Sequence, residues 1–201
     1  MLEQQMETEL WSKITENGKS ELKIQNEAII FQDDKNKNID IVLSHPINGP
    51  LITIGVRTQM SNIAKNTLTY FQEIRGECLG LQTRYPMSVH GYIYLHPKKI
   101  INTNISSSQQ RETVDHDRYA KLFSTISGRS ELSDIEYKNF FVGVKGVFDH
   151  FSYFVVDFEK DPISYNDDWS HLTDIDMSID NFIDNLVNTA KKRFHFTNFF
   201  I

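Results

Sequence analysis

The sequence is poor in cysteine, with Cys78 alone among its 201 residues. A single thiol can form neither an internal disulfide bond nor a cysteine-rich zinc site, which favours a reducing compartment. No apolar run is long enough for a transmembrane helix, and the opening residues MLEQQMETELW lack the basic start and apolar core of a signal peptide. These absences predict a cytoplasmic protein without a membrane partner.

An excess of positive charge is also absent, since the net charge is −6 and the pI is near 5.6. Any nucleic-acid role therefore requires a local basic patch. The G-x-S-x-G, Walker A, G-x-G-x-x-G and H-E-x-x-H motifs are missing as well. Their absence removes the common hydrolase, NTPase, dinucleotide-binding and zinc-protease interpretations.

The composition that is present belongs to a folded protein, with 39% hydrophobic, 24% charged and 12% aromatic residues. The length suits one domain spanning residues 1–201 with a substantial core. Helical periodicity is strongest over 61–85 and weaker over 3–16, 115–127 and 178–192. Strands are expected at 21–24, 28–32, 39–43, 51–56, 90–95 and 151–158. This order predicts an α/β fold in which helices flank a mixed central sheet.

The segment NIDIVLSHPINGPLITIGVRTQ, residues 38–59, is typical of a β-hairpin. With Asn48 and Gly49 as the central turn residues, antiparallel register places Asp40 opposite Arg57. Side chains on one face repeat every second residue, so Gly55, Arg57 and Gln59 are expected on the face of Asp40. An ordinary cross-strand ion pair between Asp40 and Arg57 is the alternative interpretation.

This pattern resembles the PD-(D/E)XK nuclease superfamily, the fold of most type II restriction endonucleases. That superfamily places an Asp on one hairpin strand and Glu-x-Lys on the next, followed by a helix and a strand. Here Asp40 in NIDIV matches the Asp, and Gly55-Val56-Arg57 stands at the Glu-x-Lys position. The resemblance covers residues 20–97, the expected nuclease-like core. It implies a restriction-endonuclease-like fold, Mg²⁺ as cofactor, DNA as partner and a homodimer.

The same resemblance implies a catalytic set of Asp40, Arg57 and Gln59, with one carboxylate missing. Gly55 supplies no ligand, and Arg57 keeps the positive charge of the Lys without its ability to act as a base. A second metal ligand is expected from the following helix, at Glu73 or Glu77. Other candidate ligands are Glu21, Glu27 and the carbonyl oxygen of Gln59.

Phosphate contacts need positive charge and reach, and the expected DNA-binding residues are Lys65, Lys98 and Lys99. A more diffuse basic set is formed by Arg111, Arg118, Lys121 and Arg129. The Tyr/His face of strand 90–96 either stacks bases or is covered by a helix. The apolar tail FHFTNFFI docks either on the core or on a second subunit.

Two functions follow from these features. The first is a Mg²⁺-dependent endodeoxyribonuclease of the restriction-endonuclease-like type. The alternative is a catalytically inactive nuclease-fold protein that serves as a binding or assembly module.

Overall fold

The computed structural model describes residues 2–31, 36–100, 114–129, 146–195 and 197–201. Its centre is an open six-stranded sheet whose spatial order follows the chain order. The strands are β1 (Lys23–Phe31), β2 (Asn36–His45), β3 (Gly49–Thr58), β4 (Val89–Pro97), β5 (His150–Asp157) and β6 (Ser164–Asn166).

The sheet is mixed. Strands β1, β2 and β3 form an antiparallel meander, β3, β4 and β5 are parallel to one another, and β6 is antiparallel to β5. Parallel neighbours need a crossover, and the helix α3 (Ile63–Arg84) provides it between β3 and β4. The predicted α/β class with a mixed sheet flanked by helices is confirmed.

Two apolar clusters cover the two faces of the sheet. On one face, α1 (Leu2–Ser12) and the C-terminal helix α5 (Phe182–Arg193) bury Leu10 and Leu186 against strand residues such as Ile93. On the other face, α3 and α4 (His116–Ser124) pack an aromatic-rich cluster that includes Phe123. Within the described ranges no helix has the length and apolar character needed to cross a membrane.

The N-terminal region differs from the prediction. The helix predicted over 3–16 ends at Ser12, and a separate short helix, α2 (Glu16–Glu21), follows it. Thr15 starts this helix because its hydroxyl oxygen accepts a hydrogen bond from the Gly18 N–H at 2.9 Å. The two strands expected at 21–24 and 28–32 are one strand, β1, which passes through a left-handed residue at Glu27 with φ of 49°.

The C-terminal tail docks on its own chain. Phe199 is buried, Phe200 forms a bridge with Ile14, and the Thr15 N–H donates to the Phe199 carbonyl at 2.8 Å. Of the two docking sites considered for the tail, the structure selects the core.

Candidate functional site

The hairpin register differs from the predicted one by two residues. His45 pairs with Gly49 and Ile41 pairs with Ile54, with an irregularity between Leu43 and Ser44. The predicted central turn Asn48-Gly49 is therefore wrong, because the reversal is completed by residues 46–48. Continuing the ladder by one step from Ile41 and Ile54 brings Asp40 beside Gly55, and not beside Arg57.

Because the shift is an even number of residues, the shared face of the hairpin is retained. Gly55, Arg57 and Gln59 all contact side chains on the face that α3 covers. The alternative of an Asp40–Arg57 ion pair does not describe this hairpin, in which Arg57 instead pairs with Glu73 of α3.

Asp40 is half-buried and engages the neighbouring backbone. Its Oδ2 atom accepts a hydrogen bond from the Val56 N–H at 2.6 Å. This bond joins the Asp40 carboxylate to β3 at Val56, the residue after Gly55, where the superfamily pattern has its acidic ligand. One oxygen of the expected metal ligand is thus already used in holding the two strands together.

Position 55 is filled from the next strand. Gly55 pairs with Tyr92 across β3 and β4, and a Cβ atom at position 55 would lie 2.5 Å from Tyr92 Cε2 and 2.6 Å from Tyr92 Cδ2. Real Cβ atoms do not approach a ring this closely. The Tyr92 ring is itself packed between Phe148 and Phe151, with ring centroids 5.2 Å and 5.6 Å away. An acidic side chain has no room at this position.

Arg57 is held by α3. Its Nη1 atom donates to Glu73 Oε2 at 3.1 Å, and its guanidinium carbon lies 4.4 Å from the centroid of the Tyr70 ring. Both contacts suit a planar guanidinium, which combines ion pairing with stacking on an aromatic face. Glu73, one of the two expected ligands, is consequently committed to Arg57.

Glu77 is the more buried of the two expected helix ligands. Its carboxylate pairs with Lys37 at 2.9 Å, and only 10% of its side chain is exposed. Burial raises the pKa of Glu77, the Lys37 ammonium opposes that rise, and the charge of Asp40 adds to it. One face of the hairpin and α3 therefore brings together Asp40, Arg57, Glu73 and Glu77. The charge of Asp40 acts on the carboxylate of Glu77.

The two N-terminal alternatives for the second ligand lie beside different residues of β2. Glu21 contacts His45, with 3.4 Å between Glu21 Oε2 and His45 Nε2. Glu27 is exposed on β1, between the pairs Asn26–Ile41 and Ala28–Ile39, so it lies across from Asp40 on the side away from β3.

Gln59 is a buried structural residue. Its Nε2 atom donates to the carbonyls of Ser61 at 3.3 Å and Asn62 at 3.1 Å. Its Oε1 atom accepts from Tyr94 OH at 2.6 Å, Thr67 Oγ1 at 3.3 Å and His96 Nε2 at 3.2 Å. The carbonyl oxygen expected to bind a metal is thus surrounded by three protein donors.

These contacts limit what the site can hold. Mg²⁺ in proteins is bound by one or two carboxylates with water and substrate phosphates in an octahedral arrangement. Here one oxygen of Asp40 is bonded to β3, Glu77 is paired with a lysine, and position 55 is closed. Within the described ranges, no group of three or more His, Cys, Asp or Glu residues is placed to hold a metal ion. The donor set falls short of the Mg²⁺ site that the resemblance implies.

Three of the expected phosphate contacts have acidic partners. Lys98 pairs with Asp157 at 3.0 Å, and Lys99 pairs with Glu159. Arg129 is buried, with Nη1 3.9 Å from Asp149 Oδ2, so its predicted phosphate role is wrong. Of the other residues, Lys65, Arg118 and Lys121 are exposed, and Arg111 lies outside the described residues.

The Tyr/His face of β4 is covered by helices. His90, Tyr94 and His96 are 0% exposed and Tyr92 is 4% exposed. This confirms the helix-covered alternative and leaves none of these rings at the surface for stacking on bases.

Sequence reasoning missed a buried ion cluster at the start of β5. Asp149 accepts from Arg193 Nη1 at 3.0 Å, from Arg193 Nη2, and from the His90 N–H at 2.8 Å. Arg193 also donates to the Ser88 carbonyl at 2.8 Å. The cluster joins β4, β5 and the end of α5. No spacing in the sequence could reveal it, because Asp149 and Arg193 are far apart in the chain.

Comparison with known proteins identifies no relative. No protein-family model matches the chain, and no curated protein or solved structure matches it significantly. The assignment of a function therefore rests on the site itself.

Proposed function

We propose that this chain has a nuclease-like fold but does not cleave DNA with a metal ion, and that it serves as a binding or assembly module. The proposal starts from the resemblance over residues 20–97, where three antiparallel strands are followed by α3 and by the parallel strand β4. The single observation that carries it is the Tyr92 ring, which occupies the space that a second carboxylate at position 55 would need.

A catalytic metal ion would need acidic ligands in the hairpin. In the metal-dependent mechanism, the cation activates water and stabilises the charge that develops at phosphorus, and it must be anchored by acidic ligands to do so. Asp40 alone is a weak anchor, and it also accepts the Val56 N–H. The surrounding groups form a set of internal contacts: Arg57 with Glu73 and Tyr70, and Glu77 with Lys37.

The charge distribution favours a protein partner over DNA. Phosphate binding depends on basic side chains that release counterions from the nucleic acid. The net charge is −6, and Lys98 and Lys99 already face Asp157 and Glu159. A duplex approaching these lysines would meet their acidic partners as well.

A second candidate, Mg²⁺-dependent cleavage of DNA phosphodiesters, is favoured by one observation. The charge of Asp40 contributes to the raised pKa of Glu77, so the two carboxylates lie near each other on the face of Arg57. If Glu77 released Lys37, the two acids would hold the metal and Arg57 would stabilise phosphate.

Plasmid nicking separates the two candidates. Supercoiled DNA is incubated with Mg²⁺ or Mn²⁺ and the wild type, Asp40→Ala, Glu77→Gln or the exposed control Glu16→Gln, each checked for folding by circular dichroism. The binding-module proposal expects the same background nicking from all four. Nicking by the wild type and the control that both Asp40→Ala and Glu77→Gln abolish would establish the nuclease instead.

A further inference from the structure

A cavity, separate from the hairpin site, lies at the carboxyl ends of β4 and β5. It has a volume of about 330 Å³, and its lining includes Lys98, His116, Asp157, Tyr165 and Trp169. Open sheets with parallel strands commonly bind ligands beyond the carboxyl ends of those strands. The volume is also within the range of small-molecule sites.

The hydrogen bonds behind this cavity determine which ring nitrogen of His116 carries a hydrogen. Their directions follow from the orientation of the Gln59 amide. The Gln59 amide nitrogen donates to two backbone carbonyls, so its oxygen must face Tyr94, Thr67 and His96. His96 Nε2, which is 3.2 Å from that oxygen, therefore carries a hydrogen. Burial lowers the pKa of His96 to about 3, so the ring is neutral and its Nδ1 atom is an acceptor.

The direction in which the Tyr153 hydroxyl donates its proton determines the tautomer of His116. The Tyr153 hydroxyl lies 3.0 Å from His96 Nδ1 and 3.0 Å from His116 Nδ1. Because its single proton is donated to His96, its oxygen must accept from His116, whose Nδ1 atom then carries a hydrogen. In neutral His116 the remaining lone pair is on Nε2.

Two acceptors consequently face each other at the wall of the cavity. His116 Nε2 lies 3.4 Å from the carbonyl oxygen of Lys98. Burial lowers the pKa of His116 and outweighs the Lys98 carbonyl, Asp115 and Asp117, which raise it, and the lowered pKa favours the neutral ring. The contact is exposed, so a hydrogen-bond donor that enters the cavity can reach both acceptors. This wall is therefore suited to a ligand that brings N–H groups.

The other walls indicate the shape and charge of that ligand. Trp169 is held with its Nε1 donating to the Tyr153 carbonyl at 2.7 Å, and Val155 and Tyr165 add further apolar surface. The charged lining residues balance, with Lys98 and Lys160 against Asp117 and Asp157. Aromatic and aliphatic walls with balanced charge suit a planar, uncharged molecule.

We propose that this cavity binds an uncharged, planar heterocycle of nucleoside size whose amino group donates hydrogen bonds to His116 Nε2 and the Lys98 carbonyl. Adenosine has these properties and serves as the probe. Purine riboside has the same ring and sugar but lacks the amino group, so it isolates the donor that the cavity is expected to recognise.

The binding test uses the fluorescence of Trp169. The chain has two tryptophans, so Trp11→Phe leaves Trp169 as the only one. Titration of this variant with adenosine should give a saturable change in emission. Purine riboside should bind at least about tenfold more weakly, because it leaves two acceptors without a donor. Absence of a saturable change with adenosine, or equal affinity for the two nucleosides, would overturn the proposal.

Substitution of His116 tests the assigned acceptor. His116→Asn preserves a donor near the Nδ1 position for Tyr153 and removes the Nε2 acceptor, so it should weaken adenosine binding about tenfold or more while the thermal midpoint changes little. His195→Asn, at an exposed histidine near the C-terminus, is the matched control and should bind as the parent does. Unchanged adenosine affinity in His116→Asn would contradict the proposal, independently of any result on DNA cleavage.

Discussion

Gly55 has no side chain, and the ring of Tyr92 packs directly against its backbone. Tyr92 is 4% exposed and lies directly over the Gly55 backbone, so the glycine leaves the space that the tyrosine fills. Interiors are packed as densely as organic crystals, and added atoms displace neighbours. Because the Tyr92 ring occupies this space in the core, position 55 of the hairpin has no room for a carboxylate.

Gly55→Glu should lower the free energy of unfolding by about 1–3 kcal/mol because the new side chain overlaps Tyr92. Tyr92→Ala alone should cost about 3–5 kcal/mol through the cavity that it leaves. The double variant should be more stable than the sum of the two changes predicts, by about 1 kcal/mol or more, in urea denaturation.

Gly76→Glu is the matched control for this cycle. Gly76 lies in α3 with no atom within 4 Å of an added Cβ, so the substitution should be neutral or stabilising. Strict additivity between positions 55 and 92 would contradict the proposed steric exclusion.

Asp40 acts at the residue scale as a backbone acceptor. Asp40→Ala leaves the Val56 N–H without its 2.6 Å partner and should cost about 1–3 kcal/mol in urea denaturation. Asp40→Asn keeps an oxygen acceptor and should recover most of that loss. Equal destabilisation by Ala and Asn would show that the negative charge, and not the hydrogen bond, is what matters at this position.

At the scale of elements, the buried Asp149 connects the start of β5 with the end of α5. Asp149→Ala would leave Arg193 buried without its bidentate partner, at 3% side-chain exposure. Breaking one side of such a pair costs about 3–5 kcal/mol, which should appear as a large fall in the urea midpoint.

Glu16→Ala provides the comparison for that loss. Glu16 pairs with Lys19 in α2 and is 91% exposed, so its removal should change stability by no more than about 0.5 kcal/mol. A change of that small size in Asp149→Ala would contradict the connecting role of the cluster.

Elements defined by local periodicity could be predicted, whereas those defined by distant contacts could not. The helix expected over 61–85 and the strand expected over 151–158 are present as α3 and β5. The hairpin register was missed for two reasons. The reversal is a three-residue turn, 46–48, and not the Asn-Gly reversal that the sequence suggested, and an irregularity between Leu43 and Ser44 shifts the pairing by one residue. The site was only partly foreseen for a similar reason. Asp40 and Arg57 can be singled out in the sequence. The contact of Tyr92 with Gly55 could not be predicted, because it depends on the pairing of β3 with β4.

At the scale of the whole molecule, buried neutral histidines should make stability depend on pH. Burial lowers the pKa of His96 to about 3 and the pKa values of His90 and His150 to about 4, from an ordinary value of 6.5. Above pH 6.5 the histidines are neutral in both states. Between pH 6.5 and about 4 the unfolded chain binds protons that the native chain does not. The free energy of unfolding should then fall by up to about 1.4 kcal/mol per pH unit for each histidine.

Urea denaturation at a series of pH values measures this slope. His150→Gln should reduce it, because one of the three buried rings is removed, whereas the exposed His195→Asn should leave it unchanged. A slope that His150→Gln does not alter would contradict the assignment to buried histidines.

We expect the hairpin to hold no catalytic metal ion, and titration with Mn²⁺ followed by electron paramagnetic resonance measures this property. Free Mn²⁺ gives a signal that diminishes on binding, so the wild type and Asp40→Asn can be titrated without any substrate. If the hairpin binds no metal ion, both proteins should give the same weak, non-saturating loss of signal. A stoichiometric Mn²⁺ site in the wild type that disappears in Asp40→Asn would contradict it.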